Sequence, residues 1–304
     1  MFKCHDGFSG KLELFKYSIQ VVYFLVGIYF HLKVFRALFR KWKTYSKYPF
    51  YKLYLVDSIL SVLIILLNVG LIRIAAFIVA LCPWALSKFP EPSQFISLLF
   101  IDQYLKFAKC LNFCFMMINR ASCVICPSSY GTIQKCITTH VILFSLLCPL
   151  LGVWPAFLSD SQFFPFQGGF MHESKMEFRW VSIPQFSVII STITITTIII
   201  SSFICIVCIS RTRSENKYSE QCLTASSMGM GICYVLVLSM EIYFQQFRPS
   251  PADLHEFWKA IVMFAFDILV ICPPIIMLCL NVRLRNDVYF GSSLQATATP
   301  PSLK

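Results

Sequence analysis

STITITTIIISSF, residues 191–203, is the stretch on which the fold turns. Ile and Thr are β-branched, and by intrinsic propensity such a run reads as a strand. In hydrocarbon, however, an isolated strand leaves its backbone N–H and C=O groups unpaired. A helix pairs them internally, and Ser or Thr hydroxyls can bond the preceding turn. The run is therefore a helix if its solvent is lipid.

The whole chain argues that it is. Of 304 residues, 57% are hydrophobic and 13% charged, with a mean hydropathy of +0.68, which is outside the range of soluble domains. A membrane helix needs about 20 mostly apolar residues. Spans of that kind are expected at Tyr17–Phe35, Tyr51–Ile72, Phe95–Ile118, Ile137–Leu158, Phe186–Ser210, Cys222–Phe244 and Trp258–Leu280. Their lengths exclude an outer-membrane barrel. The fold class is thus all-α: a seven-transmembrane helix bundle over residues 17–280, preceded by a segment 1–16 and followed by a tail 281–304. Residues 74–86, IAAFIVALCPWAL, are apolar but short and contain Pro83. They read as a long helix end plus a membrane-hugging loop, with an eighth span as the alternative.

Loop charge sets the orientation, because cytoplasmic loops carry the excess of Lys and Arg. Lys33, Arg36, Arg40, Lys41, Lys43, Lys47 and Lys52 lie around the first connection with no acid among them. This places the N-terminus outside and the C-terminus in the cytoplasm. The net charge of +11 is then a topology signal, and a nucleic-acid partner is not expected. No cleavable signal peptide is recognisable.

The third span ends in CFMMINRASCVICP, residues 114–127, where Asn119 and Arg120 interrupt the apolar run. At 100° per residue, Asp102, Lys106, Lys109, Phe113, Met116 and Arg120 fall within about 40° of one line. Intramembrane charges face the bundle interior, so this stripe marks the interior face. A terminal arginine can also snorkel to lipid phosphates; its alignment with the stripe favours the bundle-facing reading. Lys109 and Asp267 lie at similar depth and are expected to pair, either fixing helix register or acting as a ligand-sensitive latch. Lys106 is expected to neutralise Asp102 one turn away. Asp57, about two turns into the second span, is a candidate acceptor for Arg120 or Asn119, and Glu241 near the outer end of the sixth span is expected to be solvated. Pro273 and Pro274 should kink the seventh helix.

FYKLYLVDS at 50–58, Asn119-Arg120, GGFMHESKMEFRWVSIPQF at 168–186, SRTRSENKYSEQCLT at 210–224 and DILVICPPIIMLCLNVRLRNDV at 267–288 together resemble the nematode serpentine receptor class gamma (Srg) family. The resemblance covers most of the chain. It implies a chemosensory G-protein-coupled receptor in the plasma membrane, including the ciliary membrane of sensory neurons, with a heterotrimeric G protein as partner. It also implies that Arg120 holds the inactive state and meets the G protein on activation. Asn119 stands where better-known receptors carry an acid, so a local carboxylate latch on Arg120 is absent. Asp57, Glu215 and Glu220 remain as acceptors.

The outer half is rich in Phe95, Phe100, Tyr104, Phe113, Phe170, Trp180, Phe186, Trp258 and Phe264, which suits a small apolar or amphipathic ligand. A transporter or channel subunit using the buried charges as a path is the rival reading; the seven spans lack the repeated halves typical of transporters. No nucleotide, hydrolase or zincin motif is present, so neither an enzyme nor a cofactor is implied. Cys123, Cys126, Cys136 and His140 formally offer zinc-ligand spacing, but they straddle the bilayer edge, and no metal is expected. Cys4 and Cys82 are the one pair with an outer location, and a homo- or hetero-dimer is left open. Ser292, Ser293, Thr297 and Thr299 in the Ser/Thr/Pro-rich end of the tail are candidate phosphorylation sites.

Overall fold

A computed structural model describes residues 9–79, 83, 96–125, 127–154, 160–166, 169–175, 183–211, 217–246 and 252–289. Among these residues, seven long helices form the molecule: α1 (Gly10–Arg40), α2 (Pro49–Phe77), α3 (Ile96–Ile125), α4 (Pro127–Val153), α5 (Ile183–Arg211), α6 (Lys217–Gln246) and α7 (Ala252–Leu280). A short α8 (Val282–Tyr289) follows. Five helices are long and apolar enough to cross a membrane among the described residues, and Ile137–Val153 of α4 is a shorter apolar one. Between them α3 carries Asp102, Lys106 and Lys109, which lower its hydropathy and face inward.

The run that opened the sequence is helical throughout, inside α5. Thr192 and Thr194 hydroxyls donate to Val188 O (2.7 Å) and Ile190 O (2.8 Å) one turn back, so β-branched side chains are accommodated where lipid forbids an unpaired strand. The polarity of the bundle is inverted relative to a soluble protein. Leu25, Leu66, Leu151 and Phe203 face outward, whereas Asp57, Asn68, Arg73, Asp102, Lys109, Asn112, Asn119 and Arg120 are buried. Phe113 of α3 stacks on Tyr234 of α6, ring centroids 3.9 Å apart, at the centre of the core.

Most helices run beyond the expected spans, α4 from Pro127 where Ile137 was expected and α3 to Ile125 past Ile118, and three departures shape the rest of the fold. α1 begins at Gly10, seven residues ahead of Tyr17. α2 continues past Ile72 to Phe77, so the first part of 74–86 is helix; of the remainder, 80–82 and 84–95 lie outside the described residues. The connection between α4 and α5 contains an unanticipated antiparallel hairpin, β1 (Asp160–Phe166) with β2 (Gly169–Lys175). The hairpin sits on the end of α2 so closely that a Cβ on Gly169 would lie 2.1 Å from Ala75 O, a backbone contact that admits no larger residue.

α2 is not a regular helix. Residues Asn68–Ile72 form a π turn, in which the Arg73 N–H donates to Asn68 O instead of Val69 O, its partner in an α-helix. The carbonyl left over, Val69 O, accepts from the Tyr17 hydroxyl of α1 at 3.0 Å. α7 has the same problem, because Pro274 has no N–H for Val270 O. There His31 of α1 donates Nε2–H to Val270 O at 2.8 Å, and its Nδ1 lies 2.5 Å from Ser58 Oγ, from which it accepts. A carbonyl can only accept, which fixes the tautomer. α7 runs unbroken through both Pro273 and Pro274.

At the end bearing the basic connection, α8 is tied to the turn Trp42–Tyr45. Lys41 Nζ and Tyr45 Oη donate to the Asp287 carboxylate at 2.6 and 2.5 Å, and Arg40 donates to its backbone carbonyl. Burial, then the bond to Asp287, pushes the Tyr45 phenol well above its ordinary pKa. Asn281 starts α8 by accepting from Leu284 N at 3.0 Å and donates to Tyr51 Oη at 2.9 Å.

Tyr17→Phe leaves Val69 O without a donor and is expected to cost about 1–2 kcal/mol, read as a lower melting temperature of the purified protein. Deleting Gly70 in the same chain removes the extra residue and the spare carbonyl together, so most of the loss should be regained. A deletion that adds to the loss would show that the π turn is not a one-residue insertion.

Candidate functional site

The inward-facing charges form three pairs that step across the bundle. Lys109 of α3 is fully buried and donates to both carboxylate oxygens of Asp57 on α2 (2.9 and 2.8 Å) and to Ser61 Oγ (2.7 Å). Tyr234 of α6 reaches Asp57 Oδ1 at 3.4 Å, and the Lys109 ammonium lies 5.9 Å from its ring centroid. This knot joins α2, α3 and α6. Lys106 donates to Asp102 Oδ2 at 2.5 Å as expected, and Asn68 Nδ2 lies 3.4 Å from Asp102 Oδ1.

The third pair was not foreseen. Arg73 of α2, 1% exposed, makes an ion pair with Asp267 of α7. It also donates to Gln20 Oε1 (2.8 Å) and Tyr23 Oη (2.9 Å) of α1, while Tyr23 donates to Asp267 Oδ2 at 2.5 Å. Phe24 and Phe264 flank the guanidinium at 4.8 and 5.5 Å from their centroids. The expected Lys109–Asp267 pair is therefore incorrect: Lys109 faces α2 and is satisfied by Asp57, and Asp267 is taken by Arg73. Counted at 100° per residue, Arg73 would point about 160° away from Asp57, into lipid; the residue absorbed by the π turn brings it back to about 60°. The one sequence signal was a charged residue inside an otherwise apolar helix, which marks an inward-facing group but not its partner.

Asp57 is likewise not the acceptor for Arg120. Asp57 lies about 12 Å up α2 from Pro49, level with Lys109, which is about 16 Å from Arg120 along α3. Arg120 meets the start of α2 instead. It is 2% exposed, with its guanidinium 4.6 Å from the Phe50 ring centroid, and Asn119 beside it is also buried. This is a bundle-facing arginine and not one that snorkels to lipid.

Glu241, expected in solvent, instead sits on the interior face of α6. It accepts from the Ser187 hydroxyl of α5, with Ser191 Oγ 3.5 Å away. The aromatic positions divide. Tyr104 stacks on Phe100 (6.5 Å) and donates to Leu146 O at 3.0 Å, and Phe186 packs edge-on to Phe107 at 5.1 Å. Phe113 is closed off by Tyr234, Phe170 is buried in β2, and Phe264 is 39% exposed. Trp180, Cys4, Cys82, Cys126 and the phosphorylation candidates lie outside the described residues, as do Glu215 and the side chains of Cys136 and Glu220. An apolar cavity of about 160 Å³ lies between α1 and α2 on the flank left open by Gly70, and Phe24, which flanks Arg73, lines it.

Comparison with known proteins agrees with this architecture. The family described as "Srg family chemoreceptor" matches residues 17–288. Serpentine receptor class gamma-30 of Caenorhabditis elegans is 63% identical over 289 residues, spanning 95% of this chain and 97% of its own length. Serpentine receptors class gamma-4 and gamma-5 of the same organism are 28% and 29% identical, over 95% and 94% of this chain.

Lys109→Ala leaves the Asp57 carboxylate buried and unpaired and is expected to destabilise by about 3–5 kcal/mol. Asp57→Asn with Lys109→Met should lose clearly less than the sum of the single changes. A double-mutant cycle on melting temperature, with coupling of Lys109 to Asp57 and none to Asp267, is the outcome the geometry requires.

Proposed function

Because this chain belongs to the Srg family of chemoreceptors, an integral, multi-pass membrane protein, we propose that it is a G-protein-coupled receptor for a small apolar or amphipathic molecule. The ligand binds in the outer half of the bundle, among Tyr104, Phe186, Phe264 and their neighbours. The basic end faces the cytoplasm and receives a heterotrimeric G protein. The membrane is the plasma membrane, including that of sensory cilia.

The observation that carries this reading is the buried stripe of α3. Asp102, Lys109 and Arg120, all buried, share one face with the half-buried Lys106, and that face runs from one end of the helix to the other. Two of these charges are tied to neighbouring helices, Asp102 to Asn68 and Lys109 to Asp57, with Tyr234 of α6 joined to the same carboxylate. Moving α6 against α3 would part Tyr234 from Asp57 and from Phe113. The same movement would open the end at which Arg120 waits. A ligand that favours the parted arrangement shifts the population toward it. Arg120 then exchanges its place over Phe50 for a contact with the G protein, and the Asp57–Lys109–Tyr234 knot is the element that opposes the change.

Arg120→Ala should reach the cell surface at near-normal abundance and lose G-protein activation. Tyr234→Phe, which removes only the α6 arm of the knot, should raise ligand-independent signalling. Normal signalling by Arg120→Ala at matched abundance would remove the arginine from the mechanism. An epitope on the tail after Tyr289 should be labelled only in permeabilised cells; labelling of intact cells would reverse the orientation.

A further inference from the structure

A carboxylate in a low-dielectric interior needs a cation or a proton. Asp57 has Lys109 at 2.8 Å, Asp102 has Lys106 at 2.5 Å, and Asp267 has Arg73. Among the described interior carboxylates of the bundle, Glu241 is the exception: its neighbours are the hydroxyls of Ser187 and Ser191, one turn apart on α5. Lys106 is near enough for its field to act on Glu241, but its ammonium is committed to Asp102.

The position is as informative as the missing cation. Tyr234, Val237 and Leu238 mark the buried face of α6, and Glu241 continues that face one turn further along. It is only half-buried there, as are Lys106, Phe186 and Phe266 around it. Ser187 and Ser191 tie Glu241 to α5, and Lys106 of α3 acts on it from the other side, so the half-buried carboxylate stands where α3, α5 and α6 meet. Two aromatic rings flank its neighbours, Phe186 beside Ser187 and over Gly152 of α4, and Phe266 of α7 beneath Lys106. Phe186 precedes Ser187 and packs on Phe107, and Phe266 lies 5.2 Å below the Lys106 ammonium.

Resting on the reading of the chain as a ligand receptor, we propose that Glu241 is the counter-ion for a cationic amine head group of the ligand. Ser187 and Ser191 hold the carboxylate where α3, α5 and α6 meet, and the aromatic rings take the apolar body. The amine supplies the charge that the fold leaves out, and the rings around it add cation–π attraction of the kind already made by Lys106. The favoured ligand is therefore an amphipathic amine; a neutral molecule of the same size binds less tightly, and a carboxylate is repelled.

The test uses the full-length protein purified into lipid nanodiscs, with no G protein present. Its melting temperature is followed against phenethylamine, 2-phenylethanol and phenylacetate, which share a ring and chain and differ in head-group charge. Phenethylamine should raise the melting temperature saturably and more than the other two. Glu241→Gln should abolish that difference, and Ser187→Ala, which keeps the carboxylate but removes its support, should shift the phenethylamine midpoint at least tenfold upward. Equal responses to phenethylamine and 2-phenylethanol, or a full phenethylamine response in Glu241→Gln, would overturn the proposal. Because the readout is binding alone, a positive result beside absent G-protein signalling would sink the coupling mechanism and leave the amine site standing.

Discussion

A backbone carbonyl that loses its helical partner inside a bilayer has no water to turn to, and this constraint organises the bundle. Among the described residues, two such carbonyls find a side-chain donor on α1. Val69 O is released by the π turn of α2, and Val270 O by Pro274 of α7. Both are answered from α1, by Tyr17 and His31, spaced along the helix so as to meet different partners. α1 is thereby more than a peripheral span: its polar side chains make the irregularities of α2 and α7 tolerable. The π turn of α2 in turn puts Arg73 within reach of Asp267.

Charge obeys the same rule at higher cost. Among the described residues, neighbouring helices share two ion pairs, Asp57–Lys109 between α2 and α3 and Arg73–Asp267 between α2 and α7, while Asp102–Lys106 lies within α3 beside Asn68 of α2. α2 contributes to each. A helix whose outward face is Leu63, Leu66 and Leu71 thus carries the polar framework on its other side, and disturbance of α2 reaches most of the bundle.

Much of the architecture could be read from residue order alone. Apolar length located the seven helices, and the 100° count identified the interior face of α3 from Asp102 to Arg120, because that helix is regular. The same count failed for Arg73. A single residue absorbed in a π turn rotates everything after it, and nothing in the residue types of NVGLI announces whether the turn will widen. Pairing also escaped the sequence. Depth along a helix can be counted, but which neighbour stands opposite depends on packing, so Lys109 was matched to Asp267 at equal depth when Asp57 stood closer. The hairpin 160–175 was hidden because its alternation is short and its seat is the end of α2. Family membership was legible because it rests on the order of several segments and not on any contact.

The clasp at Asp287 has a consequence for how the protein is made. Lys41 and its carboxylate partner are 246 residues apart in sequence. At typical synthesis rates of about 5–20 residues per second, the first basic turn is complete roughly 12–50 s before the residue that closes over it exists. Throughout that interval Arg40, Lys41 and Tyr45 are without the Asp287 partner that each of them binds in the folded chain. Closure by α8 can therefore come only after all seven long helices have been made.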